Sequence, residues 1–425
     1  MEGVAASLDI TPSRLLPTAC HGPFDVPSEW VGFRFEANIL ALRDTGGIFV
    51  LVSLDWFYGS ANLRDRILDR CAGRLQEISL FVAASHAHTS PATDSSKVGF
   101  TKVDDAYVRA TEHAIADRVA SLLSAPDWQP VSLRFASTPC DCSVHRRRII
   151  WRLGRHGLKR VMALHPNPKG PRDRELRLIR VENTRGGITA IVWGISCHPT
   201  EWPRLRELSS DYPGGVRETL RAHFERNVPV LFLQGFAGDL RPPAIGRWGR
   251  SGSLLCRLVD FALTFVNGPE FVGFSQRGYR QWFMNIAACA TRAAYAAGAQ
   301  PTMKPALAAH RSSMLLSTLG LSGRISELTV HCLQLAADFK LLGLSAEVCW
   351  EYVDLAKGMF PSGTVWPVGY IDYVFGYLPT EAMLSEGGYE VTGFRRAFGI
   401  TGEFIGNLGE RIRVLLSTVY VSGDC

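Results

Sequence analysis

No stretch of about 18 uninterrupted apolar residues occurs in this chain, which argues against a membrane-spanning helix. The amino terminus, Met1-Glu2-Gly3-Val4-Ala5-Ala6, has no basic region followed by a long apolar core, so no secretion signal is expected. Charge of one sign is not in large excess either. A net +6 over 425 residues does not by itself argue for nucleic acid, and no nucleic-acid partner is expected. The ten cysteines lack paired spacing of the zinc-finger kind, Cys140-Asp141-Cys142 being the only close pair. Most sit in apolar or helical patterns and are expected to be buried free thiols. These features together fit a reducing cytoplasm. Internal repeats, low-complexity tracts and obvious linkers are absent, while 46% hydrophobic residues supply an ample core for one large domain over 1–425.

Two histidine clusters stand out against this background: Ser85-His86-Ala87-His88-Thr89 and Cys197-His198-Pro199-Thr200. Each closes an apolar run, over 78–84 and 188–196, of the kind that forms buried strands. A histidine at the exit of a buried strand sits at the rim of a sheet, where ligands bind in α/β folds. Two such rims could deliver imidazoles to a single metal. His88 follows His86 by two residues, so on an extended strand end both would face one side.

The remaining pattern is α/β. An edge strand is expected over 4–12 and a strong strand over 48–55, with helical spacing over 60–77 and 104–124. The region 140–175 reads as the least regular, and holds the basic run Arg146-Arg147-Arg148, Arg152, Arg155, Lys159 and Arg160. Such a run is either a solvated face or a binding site for an anionic substrate or carrier. Strands are expected over 176–183, 188–196 and 229–234, and a helix over 213–226. The glycine- and arginine-rich stretch 243–280 resists placement. An alanine-rich helix over 285–297 then ends at Gly298 as a C-terminal glycine cap. Two strands fill 327–344, with Glu347 just beyond.

Several pieces, in order, resemble the neutral/alkaline ceramidase family in its amino-terminal catalytic domain. Asp9-Ile10-Thr11-Pro12 is similar to that family's opening, and Val52-Ser53-Leu54-Asp55 to its second strand. Ser85-His86-Ala87-His88 resembles its "SHTHSGPG" signature. Cys197-His198-Pro199-Thr200 with Ser209-Ser210-Asp211-Tyr212-Pro213-Gly214 resembles "CHPT…SSDYPG". Leu233-Gln234-Gly235-Phe236-Ala237-Gly238-Asp239 resembles "LQGAAGD", and Leu344-Ser345-Ala346-Glu347 resembles "LPGE". Gly376-Tyr377-Leu378-Pro379-Thr380 with Gly388-Tyr389-Glu390 is similar to its late tyrosine pair.

The resemblance implies mixed β-sheet layers flanked by helices, and one Zn2+ per chain held by His86, His198, Glu347 and Tyr377. Tyr370 and Tyr373 are nearby alternatives to the tyrosine, and manganese or iron also suits nitrogen and oxygen ligands. It further implies that His88 and Tyr389 flank the scissile amide of an N-acyl substrate cleaved by metal-activated water.

Three departures bear on the substrate. Arg241 stands where the family carries a serine, Thr89-Ser90-Pro91-Ala92 replaces "SGPG", and the chain stops at Cys425, with no room for a carboxy-terminal β domain. Arg241 brings a fixed charge suited to carboxylate or phosphate, or else a salt bridge to Asp211 or Asp239. Asp239 is expected to hold its loop, and Cys197 to be a small core residue. The expected activity is a zinc-dependent amidohydrolase acting on a small or acidic N-acyl amide rather than ceramide. A biosynthetic amide-forming or acyl-transfer enzyme using the same site is one alternative, and a non-catalytic metal- or ligand-binding scaffold is another.

Overall fold

The computed structural model describes residues 1–154, 157–224, 227–246, 266–361 and 363–420. Two β-sheets face each other, with helices on both outer sides. The larger sheet has eight strands in the order Val230–Phe232, Ile188–Gly194, Glu175–Asn183, Gln129–Pro139, Glu2–Asp9, Glu36–Asp44, Gly47–Leu54 and Leu80–Ala84. The smaller has Pro305–Leu315, Glu327–Ala336, Phe339–Leu344 and Thr364–Val368.

Alternation of side chains along each strand explains the layering. Ile39, Ala41, Val50 and Val52 point outward and are covered by the helices Leu63–Cys71 and Asp105–Ser124 through Ile67, Ile115 and Val119. Leu40, Leu42, Phe49 and Leu51 point inward, where they meet Leu333, Leu335, Leu341 and Trp366 of the smaller sheet. The outer face of that sheet, with Val330, Cys332, Leu342 and Leu344, packs on Val353, Ala356, Ile412 and Leu415 of the helices Tyr352–Met359 and Leu408–Ser417. The helices Asp211–His223 and Gln276–Ala299 cover the other half of the larger sheet. With both faces of the strands buried, each inward Leu or Val stabilises the fold by about 1.5–3 kcal/mol, which is why the strands read as continuous apolar runs.

Mixed sheet layers flanked by helices are therefore present as expected, and several local expectations are corrected. Glu2–Asp9 pairs along its whole length with Glu36–Asp44, and its first two residues, Glu2 and Gly3, also pair with Gln129 and Pro130, so the strand lies between two others only at its start. The region 140–175 is largely a long antiparallel hairpin of Val144–Gly154 and Gly157–Asn167; its alternating basic and apolar residues hide the strand pattern. The alanine-rich helix begins nine residues earlier, at Gln276, where Ser275 caps it by accepting from the Gly278 N–H. It runs through Gly298 to Ala299, and a Cβ on Gly298 would lie 2.6 Å from the Arg180 guanidinium that packs there. Gly298 thus serves close packing inside the helix.

Eight free cysteines occur among the described residues, seven of them buried and Cys20 half-buried; Cys256 and Cys425 lie outside those residues. Arg155, Arg226 and residues 247–265 also lie outside them. No helix among the described residues is long and apolar enough to cross a membrane.

Asp211 begins its helix with a left-handed backbone (φ 57°) and is completely buried. One carboxyl oxygen accepts from the Tyr212 N–H at 2.6 Å and from the Tyr279 hydroxyl, while the other has no partner. Burial raises this carboxyl from 3.8 to about 7. Below pH 4 the group is protonated folded and unfolded, and its contribution is intact. As pH rises towards 7 the unfolded chain ionises and the folded one resists, so stability falls. We expect urea unfolding of the wild type to lose up to about 3 kcal/mol from this group between pH 5 and pH 7, at about 1.4 kcal/mol per pH unit. Asp211→Asn should remove that share of the slope, and an unchanged slope would refute the assignment.

Candidate active site

Three parallel strand pairs bring their carboxyl ends to one place. Gly47–Leu54 runs parallel to Leu80–Ala84, Ile188–Gly194 to Val230–Phe232, and Phe339–Leu344 to Thr364–Val368. The chain continues from the first pair into Tyr58 and His86, from the second into His198 and the 235–241 loop, and from the third into Glu347 and Tyr370. Beyond the first pair the ladder extends, with the Ser85 N–H donating to Leu54 O and the His86 N–H to Trp56 O. His86 then turns into the left-handed region (φ 65°). The expected extended strand end is therefore a turn, and His88 meets His86 edge to face, with ring centroids 4.8 Å apart and planes at 87°.

Backbone carbonyls fix both imidazoles. His86 Nδ1 donates to Phe57 O at 3.1 Å, and His198 Nδ1 lies 2.7 Å from Ala237 O and 2.9 Å from Leu240 O. The Nδ1 proton is thereby committed, leaving a lone pair on each Nε2. Those lone pairs face Glu347 Oε2, at 3.4 Å from His86 and 3.0 Å from His198. His88 Nε2 approaches His86 Nε2 at 3.2 Å, and its Nδ1 lies 2.8 Å from Cys20 Sγ. The three histidines form a group whose nitrogens lie within 4.8 Å of one another.

Electrostatics sharpen the arrangement. Burial, and then the charge of Arg146, push His198 down to about 4, so its ring is neutral at neutral pH. Burial and the neighbouring imidazoles of His86 and His198 push His88 well below the usual histidine range. Burial opposes ionisation of Glu347, and it is positive charge on the side of His86 and His198 that holds its carboxyl well below the ordinary value. Neutral imidazole lone pairs aimed at a carboxylate repel one another unless a cation lies between them, so this donor set fits a divalent metal.

Of the expected ligands, His86, His198 and Glu347 come together and are each at most 1% exposed. Tyr377 is brought beside them because Tyr377–Leu378 pairs in parallel with Glu347–Val348, Tyr377 opposite Glu347. Tyr370 also enters the site, its ring 4.4 Å from that of His86 and its hydroxyl donating to Glu347 Oε2 at 3.4 Å. Tyr58, which carries no motif, donates to Glu347 Oε1 at 2.5 Å. Burial first, and the Glu347 charge as well, raise all three phenols well above the usual tyrosine value.

Tyr389 starts a π-helical turn, with its ring 5.4 Å from Tyr377. Tyr389 and His88 are only partly buried, so they mark the side from which the site is reached. Tyr373 forms no part of this group: it lines a separate surface cleft with Asp94, Arg311 and Arg324.

Two arginines have partners other than those expected. Arg241 pairs with Glu201, and its guanidinium lies 4.2 Å over the Phe271 ring; neither Asp211 nor Asp239 is its partner. Arg146, read above within a basic run, is buried beneath Tyr377 and Tyr389, 5.3 and 5.7 Å from their rings. Its Nε donates to Glu390 at 2.8 Å, and its Nη2 is buried without a partner. Arg147 is also buried, donating to the other Glu390 oxygen at 2.6 Å and to Glu386 at 3.0 Å. By contrast, Arg152, Lys159 and Arg160 form the solvated part of the run. The signal that could have found Arg146 is the strand alternation hidden in that run.

No protein-family model matches this chain, and no curated protein does. Solved structures do. A neutral ceramidase from Pseudomonas aeruginosa superposes with a TM-score of 0.69 at 14% identity, over 98% of this chain and 73% of that one. A ceramidase complexed with C2 superposes with a TM-score of 0.66 at 15% identity, over 94% of this chain and 72% of that one. At such identities the likeness is one of fold: the chain folds as a neutral-ceramidase-like α/β domain.

Proposed function

We propose that this chain is a zinc-dependent amidohydrolase that cleaves a small, acidic N-acyl amide. The observation that carries the reading is the convergence of two Nδ1-anchored imidazoles on a buried carboxylate, His86 and His198 on Glu347. These three residues would hold the metal with Tyr377, whose strand position opposite Glu347 supports it as the fourth ligand. Zinc bound there would supply an activated water at neutral pH and a Lewis acid for the amide carbonyl.

The chain's own groups do the rest. Tyr58, donating to Glu347 Oε1, fixes the orientation of the carboxylate. His88, kept neutral by burial and by its neighbours, accepts a proton and passes it to the leaving amine. Arg146, whose Nη2 is buried without a partner and whose guanidinium lies 5.7 Å from the Tyr389 ring, and Tyr389 donate to the developing oxyanion or to an acidic group on the substrate. Arg146 is favoured over Arg241 for anion binding because its guanidinium lies against the Tyr377 and Tyr389 rings, whereas that of Arg241 is paired with Glu201 and covered by Phe271.

Elemental analysis should find zinc in the purified chain, with one equivalent lost in the His86→Ala/His198→Ala double variant. A wild type that binds no zinc at this site would overturn the reading. Tyr377→Phe should weaken zinc binding on the order of 10–100-fold, with Tyr370→Phe changing it much less; the reverse ranking would make Tyr370 the ligand. In a screen of N-acyl amides, substrates with a carboxylate or phosphate should be preferred. Arg146→Met should cost about 10²–10³ in kcat on them at unchanged zinc content, and a variant as active as wild type would remove Arg146 from the chemistry.

A further inference from the structure

Behind His198 lies a second group of metal-ligating side chains that shares no residue with the first. His145 lies on the Val144–Gly154 strand, Asp239 in the loop after Val230–Phe232, and Glu351 at the head of the Tyr352–Met359 helix. One ligand atom from each lies within 4.8 Å of the others. His145 is 4% exposed and Asp239 is fully buried. His145 Nε2, Asp239 Oδ2 and Glu351 Oε2 are all buried without a hydrogen-bond partner, although the first two are only 3.1 Å apart.

The other atoms of these groups are held. Asp239 Oδ1 accepts from the Trp350 N–H at 2.8 Å, and His145 Nδ1 lies 3.3 Å from both the carbonyl and the N–H of Arg147, so it can donate to the first, leaving Nε2 its lone pair, or accept from the second. Gly170 backs the imidazole so closely that a Cβ there would lie 2.6 Å from the ring. A buried polar atom left unpaired costs about 1–3 kcal/mol. Three of them, drawn from groups whose ligand atoms lie within 4.8 Å of one another and carrying up to two negative charges, suit a shared partner.

We propose that His145, Asp239 and Glu351 bind a second divalent cation of the first transition row, zinc or manganese, in a structural role. An imidazole with two carboxylates suits such an ion better than calcium or magnesium, which favour all-oxygen shells. The cation joins three segments that each carry part of the active site. His145 precedes Arg146, the Asp239 loop supplies the Ala237 and Leu240 carbonyls that anchor His198, and Glu351 follows Glu347 in the stretch that the Gly238 N–H grips through Val348 O at 2.7 Å.

The test is a calorimetric titration of the metal-stripped full chain with Zn2+, and separately with Mn2+, alongside its thermal unfolding. Two equivalents are expected in the wild type and one in His86→Ala/His198→Ala. Glu351→Gln and Asp239→Asn should each lose one equivalent and keep the other. Both should also lose part of the metal-induced rise in Tm while matching the wild type in chelator. If Asp239→Asn does not fold, Glu351→Gln at the partly exposed helix head decides. A single wild-type equivalent that disappears in the His86/His198 variant, or two equivalents surviving in Glu351→Gln, would overturn the proposal and leave a proton shared by the three groups. Because the two sites lose metal in different variants, failure here is distinguishable from failure of the hydrolase reading.

Discussion

The structure depends on the commitment of two imidazole protons to backbone carbonyls. With His86 Nδ1 on Phe57 O and His198 Nδ1 on Ala237 and Leu240 O, each ring is fixed in tautomer and direction. The carbonyls that do this belong to the chain just beyond parallel strand ends, so the orientation of the site is written into the sheet. Three pairs of parallel strands within otherwise antiparallel sheets bring their carboxyl ends together. Unusual backbone accompanies the meeting point: His86, Tyr370 and Asp372 all have positive φ without being glycine. Such conformations persist only where surrounding contacts over-determine them, and they gather at functional sites.

Burial explains why the polar groups are so heavily cross-linked. A charge removed from water is costly unless it is paired and hydrogen-bonded. Glu390 therefore accepts from Arg146 and Arg147 with its two oxygens, and Glu347 is surrounded by two imidazoles and two phenolic hydroxyls. Where pairing is incomplete, the unmatched atom is informative. Arg146 keeps an unpartnered Nη2 beneath Tyr377 and Tyr389, and the His145–Asp239–Glu351 group keeps three unpartnered atoms. Several other buried polar atoms also lack a partner, among them Asp211 Oδ2 and Arg241 Nε; what distinguishes these two positions is that one lies beneath the site tyrosines and the other gathers three ligand atoms within 4.8 Å.

Much of this was legible from local pattern. Apolar runs ending in His86 and His198 do form strands whose exits carry the histidines, and Glu347 does stand just beyond the Phe339–Leu344 strand. Alternation failed where charge masked it. The Val144–Gly154 strand mixes arginines with apolar residues, so a buried guanidinium looked like a solvated one. A glycine that serves packing reads as a helix end, as at Gly298, and the pairing of Glu2 and Gly3 with Gln129 and Pro130 is not visible locally because strand order is a long-range property.

By itself, the sequence determined the α/β layering and the residues that could bind a metal, because side-chain period and ligand chemistry are local. Only the tertiary structure decided which of these residues meet. Tyr58 and Glu347 are 289 positions apart, and Arg146 and Glu390 are 244 apart, yet each pair is in hydrogen-bond contact. The same holds for Arg241, drawn to Glu201, and for His145, which joins Asp239 and Glu351 without any motif to announce it. Such pairings follow from strand order and the closing of one sheet on another, which bring together distant groups whose burial then obliges them to find partners.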